Sequence, residues 1–449
     1  MQQGELVTIE IEDVSSEGNG IGKVNQQVVF VPNTVTGDRI SSRIMRVKKK
    51  YAEGKLDRLE EKSPYRIRSR CIVADKCGGC QWQHIDYEYQ LKVKQNQVKE
   101  TLTRIGGFSD FTLEKILSDD DLGYRNKVNY PLGVSETGTI KAGYYQQGSH
   151  QIVNINQCPI QDDRLNPLLK EIKQDLQQLQ IPIYDEKTRK GALRHLCFRI
   201  GKNTGEILLT LVSAQVSNNV IEKQAQIWLQ RYPDLVGVCL NHNPQSTNVI
   251  FGKETDLLAG RLYINEIFAG LTFHLRPETF FQVNTTVAEA LFNQVLTQLN
   301  LQGNEIVFDL YCGIGTFTLP IAQKVKQVIG IESYNISIEQ ANRNAQVNEI
   351  NNVKFILGDT ETILPEIDEI PDIVILDPPR KGCQPQVIET LLAIKPKKIA
   401  YISCHPATLA RDLKMLCENG DYQLTFVQPA DFFPQTPHVE TAVILIREN

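Results

Sequence analysis

Three patterns of apolar and polar positions follow one another along the chain. Up to about residue 60, apolar residues recur at alternate positions, as in Leu6-Val7-Thr8-Ile9-Glu10-Ile11. Glycine-bearing turns, Glu17-Gly18-Asn19-Gly20-Ile21-Gly22 and Thr36-Gly37-Asp38, cut this stretch into short strands that include Val28–Pro32 and Arg39–Ile44. Period-two alternation with turns at short, regular intervals predicts a small β-barrel. Residues 63–85 carry no period and read as loops. A long helix is predicted from Tyr89 to Ile105, stopped by Gly106-Gly107. From residue 120 to about 270, strands such as Lys127–Leu132 and Glu206–Val212, with a helix over Asn166–Leu179, predict an α+β region. Beyond residue 272 come five short apolar runs, Val307–Leu310, Val328–Ile331, Val353–Ile356, Ile373–Leu376 and Ile399–Ile402, separated by helical segments. Apolar runs of this length that alternate with helices predict a doubly covered parallel sheet. Leu424–Val427 and Thr441–Ile446 predict a terminal hairpin.

These patterns divide the 449 residues into a β-barrel over 1–62, a cysteine-bearing α+β region over 63–271 and a Rossmann-like α/β domain over 272–449. The N-terminus lacks the charged-then-apolar pattern of a secretory signal, and no apolar run reaches the about 20 residues that span a bilayer. A cytoplasmic protein with no membrane contact is expected, with a monomer as the expected state. Ten cysteines in a reducing compartment point away from disulfides. The net charge of -5 does not advertise nucleic-acid binding, but Arg39 to Arg70 holds twelve Lys or Arg against four acidic residues. That local excess fits phosphate contact.

The first strand of the α/β domain runs into Asp309-Leu310-Tyr311-Cys312-Gly313-Ile314-Gly315. The two glycines let backbone approach a ligand closely. Thr318 stands where a third glycine would complete the dinucleotide fingerprint, so that reading fails. An acidic residue opening the loop fits S-adenosylmethionine better. Glu332 closes the second strand, where a carboxylate can take both ribose hydroxyl hydrogens. Asp359 ends the third and is placed for an adenine amine, and Asp377-Pro378-Pro379-Arg380 ends the fourth. A helix cap or a surface charge would explain any one of these carboxylates. A series at successive strand ends points to a nucleotide-containing methyl donor.

Cys404 follows the fifth strand, Lys398–Ile402, and precedes the helix that starts near Ala407. A thiol there lies where α/β folds bind ligands, and a helix start is expected to lower its pKa. Facing a methyl donor, it predicts covalent methyl transfer to a pyrimidine. Carbon 5 of uracil is a poor nucleophile until a thiolate adds to carbon 6, and a base must later remove the carbon-5 proton. Glu440, beside the apolar loop Phe432–Pro437, is the candidate base, with burial expected to raise its pKa. An inert core thiol is the plain alternative for Cys404.

Cys71-x5-Cys77-Gly78-Gly79-Cys80, with Cys158-Pro159 far downstream, differs from paired zinc knuckles and fits an iron–sulfur cluster better. Cys197, Cys239, Cys312, Cys383 and Cys417 show no partner pattern. A target base must be looped or flipped out of its stack for a thiolate to reach it. Tyr124–Lys127, Ser149-His150 and Leu193-Arg194-His195 are candidate contacts to such a nucleic acid, with a solvated strand edge as the equal alternative for each.

The order of barrel, Gly-rich turn and basic strand resembles a TRAM domain, an OB-like RNA-binding module. Phe280-Phe281-Gln282-Val283-Asn284, the Asp309–Gly315 loop, Leu376–Gly382, Ser403–Asp412 and His438-Val439-Glu440-Thr441 resemble the RNA (uracil-5-)-methyltransferases nearly end to end. The resemblance implies that Gln282, Tyr311, Glu332 and Asp377 bind S-adenosylmethionine, with Cys404 as nucleophile and Glu440 as proton acceptor. It implies a [4Fe-4S] cluster on Cys71, Cys77, Cys80 and Cys158, which marks the branch acting on ribosomal RNA. It also implies that the helix near 90–105 packs on the methyltransferase domain. His405 stands where many relatives carry asparagine. The expected product is 5-methyluridine in 23S ribosomal RNA. The same reaction on tRNA, and a non-catalytic iron–sulfur RNA-binding or redox-sensing protein, remain the alternatives.

Overall fold

A computed structural model describes residues 1–215 and 219–448. Strands β1 (Leu6–Val14), β2 (Gly20–Val24), β3 (Gln27–Val31), β4 (Arg39–Val47) and β5 (Tyr51–Glu61) close a barrel in the order β1-β2-β3-β5-β4. The alternating positions explain the closure, because Ile9, Ile11, Val29, Val31, Ile40, Ile44 and Ala52 all point into one core. Gly20 and Gly22 are needed for close approach, since a Cβ on either would collide with Thr34 or Ile9. Five of the twelve basic side chains from Arg39 to Arg70 are engaged in ion pairs. Arg39, Arg43, Arg58, Arg66 and Arg70 each pair with a carboxylate, and Arg66 does so with the fully buried Asp38.

The cysteine segment lies under the barrel. Trp82 is fully buried beside Val14, Val35 and Ile85, and its indole donates to the Gly18 carbonyl at 3.2 Å. Helix α1 (Tyr87–Thr101) follows and ends in a π turn over Leu102–Gly106. The helix starts two residues before the predicted position because Asp86 caps it, accepting the Tyr89 amide. Leu91, Val98 and Leu102 join the core on one face of the C-terminal sheet.

The central region is a seven-stranded mixed sheet of β6 (Lys127–Val134), β7 (Ile140–Tyr145), β8 (Ile152–Asn154), β9 (Leu193–Ile200), β10 (Ile207–Ser213), β11 (Leu235–His242) and β12 (Glu254–Gly260), in the order β12-β11-β10-β9-β6-β7-β8. Helices α2 (Leu165–Gln178) and α3 (Asn219–Arg231) bury one stripe each against it. A hairpin, β13 (Ile264–Phe268) and β14 (Leu271–Leu275), leads to helix α4 (Thr285–Leu299).

The last sheet contains β15 (Ile306–Leu310), β16 (Gln327–Glu332), β17 (Val353–Leu357), β18 (Ile373–Leu376), β19 (Lys398–Ser403), β20 (Tyr422–Ala430) and β21 (Glu440–Arg447), in the order β17-β16-β15-β18-β19-β21-β20. Helices α5 (Thr318–Ala322), α6 (Asn335–Val347), α7 (Thr360–Ile363), α8 (Pro385–Ile394) and α9 (Pro406–Cys417) connect the strands. The first five strands are parallel and the final pair is the antiparallel hairpin expected from the sequence. Strand order reverses between β15 and β18, which opens a crevice at their carboxyl ends. Among the described residues no helix is long and apolar enough to cross a membrane, and all ten cysteines are free thiols.

Candidate active site

The loop after β15 turns sharply, with positive φ at Tyr311 (69°), Gly313 (56°) and Gly315 (84°). The amides of Tyr311 and Cys312 both donate to the Ile331 carbonyl at 3.0 Å, which fastens the turn to the end of β16. The Glu332 carboxylate accepts the Gly313 amide at 3.1 Å and the Tyr334 amide at 2.8 Å. A small pocket of about 30 Å³ is lined by Gln282, Asp309, Tyr311, Gly313, Phe317 and Asp377. Three of the four expected cofactor residues therefore share one pocket, and Glu332 holds its glycine turn. Burial pushes both Asp309 and Asp377 up to about 7, each helped by a neighbouring carboxylate. Thr318, at the missing third glycine, donates its hydroxyl to Asp309. Asp359 is exposed at the end of β17, just before α7.

Sheet register brings Cys404 beside Glu440. Ser403 of β19 pairs with Thr441 of β21, so the next residue on one strand and the preceding residue on the other meet at the same edge. Leu376 of β18 pairs with Tyr401, which sets Asp377 at that edge too. Glu440 is 5 % exposed, and burial followed by the Asp377 charge pushes it up to about 8 against the pull of Arg380. This is the direction expected for the base. The expectation for Cys404 is corrected: its thiol is pushed up to about 11, by burial first and then by Glu440 and Asp377. A helix N-terminus acts only within its first turn. Cys404 precedes the cap of α9, and the carboxylates come from other strands. His405 is the cap itself, its Nδ1 accepting the Thr408 amide at 3.3 Å, a role an asparagine would also fill.

Arg380 Nη2 lies 3.0 Å from Nδ1 of His438. Burial and the Arg380 charge push His438 down to about 4, so the ring stays neutral and can accept a hydrogen bond from Arg380. Cys404, Arg380 and His438 face a cleft of about 690 Å³ whose far wall carries Gln97 and Thr101 of α1 and Glu17 of the barrel.

A family model described as tRNA (Uracil-5-)-methyltransferase matches residues 86–448. The chain belongs to this family. A TRAM domain model matches residues 1–56 of the methyltransferase. The chain is 59% identical to an RNA methyltransferase of Nostoc sp. over 99% of its own length and 97% of the relative. It is 40% identical to one of Bacillus cereus (strain ATCC 10987 / NRS 248) over 100% and 98%. Among solved structures, Pyrococcus abyssi tRNA (uracil-54, C5)-methyltransferase, in complex with S-adenosyl-L-homocysteine, superposes with a TM-score of 0.80 at 28% identity, covering 98% of this chain and 99% of that one. The protein is an S-adenosylmethionine-dependent RNA (uracil-5-)-methyltransferase with a mixed α/β catalytic fold and an N-terminal five-strand barrel of TRAM type.

Several expected RNA contacts of the methyltransferase are buried and serve its framework instead. Asn126 donates to the Gln282 carbonyl and to Thr285 Oγ1, both at 2.9 Å, and Lys127 donates to the Pro277 carbonyl at 2.8 Å. Together with Arg199 on Thr279, they hold the loop that carries Gln282. Tyr124 reaches the Pro434 carbonyl, Arg194 reaches the carbonyls of Asn243 and Gln245, and His195 is buried enough to fall to about 4. A polar residue within an alternating strand looks the same whether its partner is solvent, RNA or a distant loop. Ser149 and His150 remain near the surface, with His150 against Glu186. Arg380, His438 and the buried pair Lys94–Asp431 at 2.6 Å were not singled out in the sequence. The first two sit inside quoted motifs, whereas Lys94 reads as one more charge on a polar helix.

Cys71, Cys77, Cys80 and Cys158 line one cavity of about 140 Å³ together with Val73, Tyr144 and Ile155. Among the described residues no three His, Cys, Asp or Glu side chains are gathered to hold a metal ion. The four thiols thus ring a cavity instead of converging on a point. Cys312 and Cys383 are buried, and burial raises both thiols, Cys383 to about 12.

Proposed function

We propose that the enzyme transfers the methyl group of S-adenosylmethionine to carbon 5 of a uridine in 23S ribosomal RNA through a covalent Cys404–uracil adduct, giving 5-methyluridine. One observation carries the chemistry: three adjacent strand ends bring Asp377, Cys404 and Glu440 to one edge, between the small loop pocket and the open cleft. When bound, S-adenosylmethionine supplies an electrophilic methyl group on a sulfonium. Gln282, Tyr311, Glu332 and Asp377 are the residues assigned to hold it. The Cys404 thiol first gives up its proton to solvent in the cleft. The thiolate then adds to carbon 6 of a uracil that has left its stack, and the electron pair moves to carbon 5, which takes the methyl group as S-adenosylhomocysteine is released. Glu440 then takes the carbon-5 proton, carbon 5 and carbon 6 regain their double bond, and the thiolate leaves. A pKa near 8 suits a group that must accept a proton near neutral pH and then release it.

The four-cysteine cavity supports a [4Fe-4S] cluster held by Cys71, Cys77, Cys80 and Cys158. A polynuclear cluster needs thiolates around a volume, and four thiols around a small, largely apolar cavity meet that need. Its role is folding and RNA placement. We assign three units, 1–62 for RNA binding, 63–271 for the cluster and RNA, and 272–449 for catalysis, in a cytoplasmic monomer.

A second reading, the same reaction on tRNA, is favoured by the names of the family and of the Pyrococcus abyssi relative. Mapping 5-methyluridine in total RNA from a deletion strain decides between them. Loss from 23S ribosomal RNA with tRNA unchanged is expected, and loss from tRNA alone would overturn the ribosomal assignment.

A further inference from the structure

We infer that Gln435 is a positioning residue that locks the cysteine segment to the strand carrying Glu440. The inference rests on the proposed role of Glu440. Gln435 is buried and holds φ at 68°, a left-handed conformation uncommon outside glycine, in which its hydrogen bonds hold it. Its amide donates to Gln90 Oε1 at 3.0 Å, and its Oε1 accepts from Gln90 Nε2 at 3.1 Å. Its Nε2 donates to Asp121 Oδ2 at 2.9 Å. Its carbonyl accepts two amides, those of Gln81 at 3.1 Å and Trp82 at 3.0 Å.

These partners bracket the cysteines. Gln81 and Trp82 directly follow Cys80, and Asp121 also takes Arg70, the residue before Cys71, at 2.6 Å. On the other side, Gln435 lies five residues before Glu440 and three before His438. The intervening chain forms part of the cleft wall at Pro437, His438 and Val439. One residue thus shares its hydrogen bonds between the segment of the cysteine cavity and the approach to the candidate base. Cys404 stands on a separate strand and helix, so a change at Gln435 reaches the base before it reaches the thiol.

The test uses the full-length holoenzyme and Gln435→Gly, which keeps the left-handed backbone and the carbonyl acceptor but removes the bonds to Gln90 Nε2 and Asp121. Amide hydrogen exchange should quicken over residues 431–440 and, with them, at Gln81 and Trp82. With a uridine substrate, release of the covalent adduct should slow by about tenfold or more, as for a base displaced by a fraction of an ångström. Trapping by 5-fluorouridine RNA with S-adenosylmethionine, which requires the thiol and methyl transfer but not the base, should stay within about twofold of wild type. Unchanged exchange with unchanged release would overturn the inference. Trapping and release slowed in parallel would overturn it too, by marking general loss of structure. Glu440→Gln, run alongside, separates the two ideas. If that variant accumulates no adduct, the base assignment fails while the exchange data still decide the role of Gln435.

Discussion

Glu440 keeps its proton at a pH where an exposed glutamate has lost it, and the consequence is measurable. Its folded pKa of about 8 lies above the ordinary 4.5, and those of Asp377 and Asp309, about 7, lie above 3.8. Between these limits each of these three carboxyls binds more protons in the folded chain than in the unfolded chain, so their contribution to ligand-free stability falls as pH rises from about 4 to about 8. Glu440→Gln removes one of these groups. Its melting temperature relative to wild type should be little changed near pH 4.5 and clearly higher at pH 8.5, read by thermal unfolding without ligand. An offset equal at both pH values would show that Glu440 is not buried as a charge. The carboxylates themselves were legible in the sequence because each lies at or beside the end of an apolar strand. The raised thiol of Cys404 was not. Its causes are burial first and then Glu440 and Asp377, which lie 36 and 27 residues away along the chain and meet it only through sheet register.

Among elements, the catalytic strands were the most legible. A strand buried on both faces must be a continuous apolar run, and Ile373–Leu376 and Ile399–Ile402 have no other reading. The barrel was legible from alternation and turns. The central sheet order was not, because β6 pairs with the distant β9 and β10 runs parallel to β11 across the α3 crossover, pairings with no local signal. For the same reason the framework role of Asn126 and Lys127 was missed. The end of β16 yields a prediction at this scale. Glu332 both pins the Gly313 turn and is the assigned ribose acceptor. Glu332→Ala should therefore weaken S-adenosylmethionine binding by about 1–3 kcal/mol, the range for hydrogen bonds to a charged group, with RNA affinity little altered. Calorimetry of each ligand separately reads both, and an unchanged donor affinity would leave Glu332 as a cap of the turn alone.

The whole molecule closes around one cleft. Glu17 from the barrel, Gln81 from the cysteine segment, Gln147 from the central sheet, Thr101 from α1 and Cys404 from the catalytic sheet all line it. Helix α1 takes its place there through the buried Lys94–Asp431 pair, a contact across 337 residues. The family resemblance implies the packing of α1 on the catalytic domain, but the rest of that convergence was invisible in the sequence, where the cysteines, the barrel and the catalytic motifs read as separate features. The cluster assignment predicts about four irons per chain in anaerobically purified protein, with visible charge-transfer absorption. Cys77→Ser or Cys80→Ser should bleach it, and Cys239→Ser, in the core between sheets, should not. Stoichiometric zinc in a colourless protein would refute the cluster. The central claim is that nucleophile and base are separate residues acting in sequence on one uridine. Mass spectrometry of Glu440→Gln, denatured after incubation with S-adenosylmethionine and 23S ribosomal RNA, tests it most directly. A peptide containing Cys404 should carry a uridine adduct that already bears the methyl group, and Cys404→Ala should give none. An adduct on another cysteine, or none in Glu440→Gln, would contradict the account.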